Sequence, residues 1–332
     1  MATIKDIAEK LGISISTVSK GLNGASDVSH ELRETIIDTA VAMGYSTKRM
    51  KREDNKKLAI LIAHIDYESN NNFGYDIVLG FKQAAFHDNW NVDIHPLDIN
   101  FETREKFENF MLKNGYSGAF ALCLSLNDPW MEQIKTSSIP VTLLDNHIPQ
   151  NPNTCYVGTD NYEGIEAAIR HLVGLGHTKI AFLNGDKDSM ISELREQAYW
   201  DGLRANNLPA DRMLVTNDSF TNVDTKKHLP ALLENGATAI LCGNDLIAYD
   251  VIRECNKLGL KVPEDISVIG FDDLPTSSEG DTSLTSVRQD RIDLGKCGYL
   301  ALHGLINRVP IGRLLLRPEL IVRNSTAKVV DR

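Results

Sequence analysis

Ile4, Ile7, Ala8 and Leu11 follow Thr3 at three- and four-residue steps, and Gly12 then interrupts them ahead of Ser14-Ile-Ser-Thr-Val-Ser-Lys20. This spacing predicts a short amphipathic helix capped by Thr3, with Asp6 near its positive end. Gly12 supplies a positive φ at low steric cost, and Ser14 is placed to cap a second helix running to about Leu22. Val18 and Leu22 then face inward, leaving Ile15, Ser16, Ser19 and Lys20 outward. A third helix fits from a cap at Ser29 through Leu32, Ile36, Ile37 and Ala40, stopping at Gly44. Two helices about a tight turn, the second opening in small hydroxyl residues, is how a helix-turn-helix offers a helix to the major groove.

The outward residues suit that task. Lys20 can donate to guanine O6 and N7, Ser16 can pair with several bases, and Ile15 can pack on a thymine methyl. The hydroxyls of Ser14, Thr17 and Ser19, with the helix amino terminus, suit phosphate oxygens. A three-helix bundle making only protein contacts is the bland alternative. Charge must be counted by segment to weigh it. The net charge is -10, but residues 1–57 hold ten Lys/Arg against eight Asp/Glu, so the remaining 275 residues carry -12. Six basic residues (Lys48, Arg49, Lys51, Arg52, Lys56, Lys57) cluster within 46–57. The amino-terminal end is therefore the part expected to meet phosphate.

From Leu58 onward, short β-branched runs alternate with helical stretches. Strands are expected at 58–63, 91–98, 118–125, 140–145, 179–184, 237–242 and 266–271, and helices at 73–88, 101–114, 165–175, 192–206 and 245–258. Alternation of this kind implies parallel sheets covered by helices. Some 275 residues exceed one modest sheet, so two doubly wound halves are expected. Ligands in open α/β sheets bind beyond the carboxyl ends of strands, and a cleft between halves can enclose a small molecule. Asp145, Asn244 and Asp272 end strand-like runs, where they can accept from and donate to paired hydroxyls. Arg195 lies in the helix after 179–184 and could clamp a hydroxyl pair or an anion. Phe73, Tyr75 and Phe220 offer ring faces for stacking. Each Asp or Asn taken singly reads better as a helix cap; their joint occurrence shifts the balance towards a site.

Other chemistries lack their signatures. Five scattered cysteines form no Cys-x-x-Cys pair, which argues against a zinc site and fits a reducing compartment. His171 and His177 stand at no metal-ligand spacing, and neither a Gly-x-Gly-x-x-Gly turn, a phosphate loop nor a nucleophile elbow occurs. Asp272 and Asp273 are adjacent and point to opposite faces of a strand, so they are expected to bind rather than catalyse. No apolar run approaches a membrane span and no signal-peptide core is present, so a cytoplasmic protein that avoids membranes is expected, with no cofactor, no metal and no enzymatic activity.

The motifs Thr3-Ile-Lys-Asp-Ile-Ala8, Gly12-Ile-Ser-x-Ser-Thr-Val-Ser-Lys20, Leu22-Asn-Gly24, Val28-Ser29, Arg33 and Gly44-Tyr45 resemble the lac-repressor (LacI/GalR) family across the whole amino-terminal segment. The body resembles it too, in Val157-Gly-Thr-Asp-Asn-Tyr-x-Gly164, His171-Leu-x-x-Leu-Gly-His177, Gly243-Asn-Asp-x-x-Ala248, Asp265-Ile-Ser-Val-Ile-Gly-Phe-Asp-Asp273 and Leu284-Thr-Ser-Val-x-Gln289. The resemblance implies a helix-turn-helix domain at 1–45, a basic linker at 46–57, and an effector-binding and dimerisation domain at 58–332 shaped like periplasmic sugar-binding proteins. Its N-subdomain would hold about 58–160 plus 290–320, and its C-subdomain about 161–289 plus a carboxy-terminal strand. The implied DNA-contacting positions are Thr3, Ser14, Ile15, Ser16, Thr17, Ser19, Lys20, Asn23, Ser29, Tyr45, Met50 and Arg52. The implied effector positions are Asp145, Arg195, Phe220, Asn244, Asp272 and Gln289, with Phe73 or Tyr75 as the amino-terminal aromatic.

Two departures stand out. The linker lacks the Leu that family hinge helices wedge into the minor groove, leaving Met50 as the one apolar candidate. The family's Arg-x-x-Gly-aromatic reads Arg195-Glu-Gln-Ala-Tyr199 here. The resemblance implies a dimer on a near-palindromic DNA operator and a repressor released by a sugar or sugar phosphate. A purine-like corepressor is the alternative, and a sugar-binding protein without DNA function or a fusion to a sugar enzyme are rivals the motifs disfavour.

Overall fold

The computed structural model describes residues 3–22, 25, 27–43, 45 and 56–329. Its amino-terminal unit is built from α1 (Ile4–Leu11), α2 (Ile15–Leu22) and α3 (His30–Ala42). Thr3 and Asp6 form a reciprocal capping box, which satisfies amides that the first turn leaves unpaired. Gly12 ends α1 at φ 65°, in the left-handed region that makes the turn possible. Ile7, Val18 and Ile36 are fully buried where the three helices meet, with Leu22 half-buried beside them. An apolar centre this small depends on each of its few large side chains.

After Lys56 the chain builds a first lobe: β1 (Lys57–Ile62), α4 (Phe73–His87), β2 (Asn91–Pro96), α5 (Ile99–Arg104), α6 (Phe107–Asn114), β3 (Gly118–Leu122), α7 (Pro129–Ile134), β4 (Val141–Leu144) and β5 (Thr154–Thr159). It crosses to a second lobe with α8 (Asn161–Gly174), β6 (Ile180–Asn184), α9 (Met190–Ala205), β7 (Val215–Asn217), α10 (Leu229–Glu234), β8 (Ala239–Cys242), α11 (Asp245–Lys257), β9 (Ser267–Asp272) and β10 (Thr285–Arg288). It returns for α12 (Arg291–Ile306) and β11 (Arg313–Leu316), then crosses once more to β12 (Glu319–Ile321). The first sheet runs β11-β5-β4-β3-β1-β2 and the second β12-β10-β9-β8-β6-β7. All ladders are parallel except that of β12, which pairs antiparallel with β10 at the edge. Near-continuous apolar strands such as Leu58–Ile62 are what a sheet buried on both faces requires.

One expected helix is two. Between α5 and α6, Glu105 and Lys106 turn to extended backbone, where a single helix over 101–114 was anticipated. The break lets Phe101, Phe107 and Phe110 surround buried Trp130 at ring separations of 5.6, 5.4 and 5.3 Å, and Trp130 Nε1 donates to the freed Glu105 carbonyl at 2.8 Å. Packing an indole and satisfying its N–H outweighs a continuous helical ladder.

Two further contacts tie the parts together. Arg291, at the start of α12, donates through Nη2 to Asp76 Oδ2 on α4 (3.0 Å), and through Nη1 to the Asp272 and Asp273 carbonyls of the second lobe (3.2 and 3.1 Å). The amino-terminal unit leans on the first lobe through α3 and α6: Asn109 Nδ2 donates to Asp38 Oδ1 at 2.6 Å and Lys113 Nζ to Glu34 Oε1 at 3.1 Å.

Candidate functional site

The helix-turn-helix presents α2 along one side. Ile15 is 52% exposed despite being aliphatic, and Ser14, Ser16 and Lys20 are exposed with it, while Thr17 and Ser19 are half-buried. Ser14 caps α2: its Oγ accepts from the Thr17 amide at 3.0 Å and lies 2.7 Å from both Ser16 Oγ and Thr17 Oγ1. A fan of three hydroxyls at a helix amino terminus is suited to phosphate oxygens. Lys20 pairs with exposed Asp27, whose carboxyl it holds below the usual carboxylate range. Ser29 caps α3, accepting from the Leu32 amide at 3.3 Å, and Thr3 is already engaged in its capping box. Tyr45 packs half-buried against the three-helix core, which raises its phenol. Asn23, Met50 and Arg52 lie outside the described residues.

Between the lobes is a cleft of about 510 Å³ lined by residues that follow the carboxyl ends of strands in both sheets. Asp145 follows β4 at φ 57° and Asp272 ends β9 at φ 120°. His64 and Cys123, past β1 and β3, also have positive φ (58° and 54°) and also line the cleft. Non-glycine residues held in this sparsely allowed region commonly mark ligand sites. Gly158 on β5 makes room for the first carboxylate, since a Cβ there would come within 2.7 Å of Asp145 Oδ1. Burial raises the Asp145 carboxyl to about 6, with Arg195 pulling the other way. Burial likewise raises Asp272, against Arg195 and the Gln289 amide, whose Nε2 donates to Asp272 Oδ1 at 2.7 Å.

Arg195 is buried and largely committed. Its Nε donates to Asn161 Oδ1 at 2.7 Å, its Nη1 donates to the Gly243 carbonyl, and its guanidinium lies 3.7 Å from the centre of the Phe271 ring. Asn244 is committed too: Oδ1 caps α11 by accepting from Ile247 N (2.9 Å) and Nδ2 donates to the Phe220 carbonyl (3.0 Å). Its helix-cap role is real, and it also positions the Phe220 loop over the cleft. Three acceptors lining the cleft have no hydrogen-bond partner among the described residues: Asp145 Oδ1, Asn146 Oδ1 and Gln289 Oε1.

Residues 3–48 match the family described as bacterial regulatory proteins, lacI family, and residues 169–326 match the periplasmic binding protein-like domain. The chain thus pairs a lacI-family helix-turn-helix segment with a periplasmic-binding-protein-like domain. It is 28% identical over 335 residues to the HTH-type transcriptional regulator DegA of Bacillus subtilis, covering 98% of both chains. Against the HTH-type transcriptional repressor PurR of Mannheimia succiniciproducens it is 26% identical over 334 residues, covering 99% of this chain and all of that one. A solved complex of the transcriptional regulator CelR with cellobiose superposes with a TM-score of 0.72 at 25% identity, over 98% of this chain and 100% of that one. The protein is thus a helix-turn-helix transcription regulator with a periplasmic-binding-protein-like effector domain.

Phe73, Asp145, Arg195, Phe220, Asn244, Asp272 and Gln289 come together on the cleft, from both lobes. Tyr75 does not: it is exposed and outside the lining. With α4 starting at Phe73, two residues along a helix is about 200° around its axis, so one ring of the pair can face the cleft and it is Phe73. Sequence reasoning missed His64, Asp66, Ser125, Asn146, Asp186 and Asp188 among the lining residues. Each sits within a few residues past a strand's carboxyl end, so applying the strand-end rule to every strand would have found them. His171 and His177 are structural: His177 spans Thr238, Ser267 and the Ala327 carbonyl at 3.0–3.1 Å. Among the described residues no cluster of His, Cys, Asp or Glu is disposed to hold a metal ion, and no helix is long and apolar enough to cross a membrane.

Proposed function

We propose that this protein is a cytoplasmic, homodimeric, non-enzymatic repressor whose affinity for a near-palindromic operator is set by a sugar bound between the lobes. The observation that carries the effector assignment is the set of partnerless acceptors on Asp145, Asn146 and Gln289. A buried acceptor left unmade is costly, and a ligand dense in hydroxyl donors is the simplest way to satisfy three at once. The cellobiose held by CelR supports the same class. The dimer reading rests on exposed apolar side chains along α4 and α12, including Leu79, Phe86 (78% exposed) and Leu300. A surface spanning both lobes would translate a change in lobe angle into a change in reader spacing.

On this reading Ile15, Ser16 and Lys20 contact base edges, and Ser14, Thr17, Ser19, Thr3 and Ser29 serve phosphates, with Asn23, Tyr45, Met50 and Arg52 completing the DNA face. An effector changes operator affinity only by its differential affinity for the two lobe arrangements, typically about 1–3 kcal/mol. The purine corepressor reading comes second, favoured by the Phe73 and Phe220 rings at the cleft. The test pairs selection of bound duplexes from a random pool with a thermal-shift screen of sugars. The expected result is a near-palindromic motif and a sugar that raises Tm while loosening the duplex. A purine ligand that tightens operator binding selects the second reading, and absence of any sequence preference at low salt defeats both.

A further inference from the structure

The charge of the cleft narrows the effector, a step that rests on the sugar reading above. Five carboxylates line it: Asp145 and Asp272 on the floor, and Asp66, Asp186 and Asp188 exposed at the rim. Against them stand two permanent cations, Arg195 and Lys187. Arg195 has Nε and one Nη1 hydrogen committed to Asn161 and Gly243, which removes its Nε-side fork and leaves Nη2 and the second Nη1 hydrogen for a ligand. Lys187 is exposed at the rim between two aspartates.

The helix starts facing the cleft offer no substitute. A bare helix amino terminus attracts anions, but those near this site already carry carboxylates. Asp76 lies in the first turn of α4 and Asp245 in the first turn of α11. The start of α9 follows Asp186 and Asp188 directly and has Glu193 in its first turn. Asp245 is further buried within hydrogen bonds from Ser277, Ser286 and the Leu274 amide; burial and Asp272 push its carboxyl up to about 7, so at neutral pH it adds only part of a negative charge beneath Asp272. A phosphate ester carries a charge of about −1.5 to −2 at pH 7. Such a group would surrender its hydration to a site with one partly committed guanidinium and five carboxylates, a poorly compensated desolvation. An uncharged sugar instead brings hydroxyl donors to acceptors that need them.

We infer that the cleft selects unphosphorylated, uncharged sugars and that its carboxylates exclude the phosphate esters of those same sugars. The experiment is titration calorimetry on the full chain with matched pairs: pentoses, hexoses and disaccharides, each beside its phosphate ester. A double variant, Asp66→Asn with Asp188→Asn, is run in parallel. The side chains changed are exposed at the rim, so the fold does not depend on them. The expected result is a preference of at least about tenfold for the uncharged member of every pair that binds, narrowed about threefold or more in the double variant. A phosphorylated member that binds equally or more tightly overturns the inference and leaves the sugar reading standing. A preference that the double variant does not move overturns its electrostatic basis. Failure of every sugar, charged or not, removes the inference together with the reading it rests on.

Discussion

The reader and the cleft solve recognition in opposite ways. The reader concentrates its groups in one seven-residue run, Ser14 to Lys20, where the cap and first turn of a short helix are exposed and pair with near neighbours while Val18 anchors the run in the core. The cleft draws its groups from the ends of strands spread between His64 and Gln289, with a desolvated floor, an exposed rim and left-handed backbone at several strand ends. The reader's affinity is spread over many weak, salt-sensitive contacts. The cleft's is concentrated in a few desolvated groups, so single substitutions there should act more severely.

The sharpest way to break this contrast is Asp272→Ala. It removes a buried carboxylate and leaves the Gln289 amide without its acceptor, so effector affinity should fall by roughly 2–5 kcal/mol while operator binding persists. Calorimetry and an operator titration on the same sample check this, with Asp272→Asn as a shape-preserving control. Equal damage to both activities would mean that the two regions are not separable.

A smaller effect is expected in the reader. Lys20→Ala should cost about 1–3 kcal/mol of discrimination at one base position in each half-site, leaving the other positions unaltered. A selected-duplex profile identical to that of the parent would take Lys20 out of base reading.

The smallest effect is a pH slope. Asp145 is held up to about 6 by burial, so between about pH 4 and 6 the native state keeps a proton that the unfolded chain has released. Native stability therefore falls as pH rises through that window. Asp145→Asn should remove about 1–2 kcal/mol of that fall, a figure discounted from 1.36 kcal/mol per unit because the residue is only half-buried. Thermal melts from pH 4 to 7 measure it; an unaltered slope would assign the titration to Asp272 and Asp245.

How far each region could be read from sequence follows from the same difference. Thr3, Gly12, Ser14 and the apolar steps from Ile4 to Leu22 act within one turn of each other, and their spacing alone predicted caps, turn and inward face. Asp145 and Asp272 were legible because each ends a strong apolar run. Asp66, Asp186 and Asp188 follow comparable runs, but exposed aspartates after a strand look like ordinary turn residues until the opposite lobe is in place. The division of 101–114 into α5 and α6 depends on Trp130, more than fifteen residues downstream, which no local pattern reports. Arg291 is similar: it bonds Asp76, 215 positions away, and bridges it to the carbonyls of Asp272 and Asp273 in the other lobe.

The ion pair between Lys20 and Asp27 bears on how the reader would leave the wrong sequence. A side chain that already owns an internal counter-charge has somewhere to return when guanine is absent. It also brings fewer small cations and anions into the exchange than a bare ammonium would. Specificity at that base step should accordingly survive rising ionic strength better than the general grip on the duplex does.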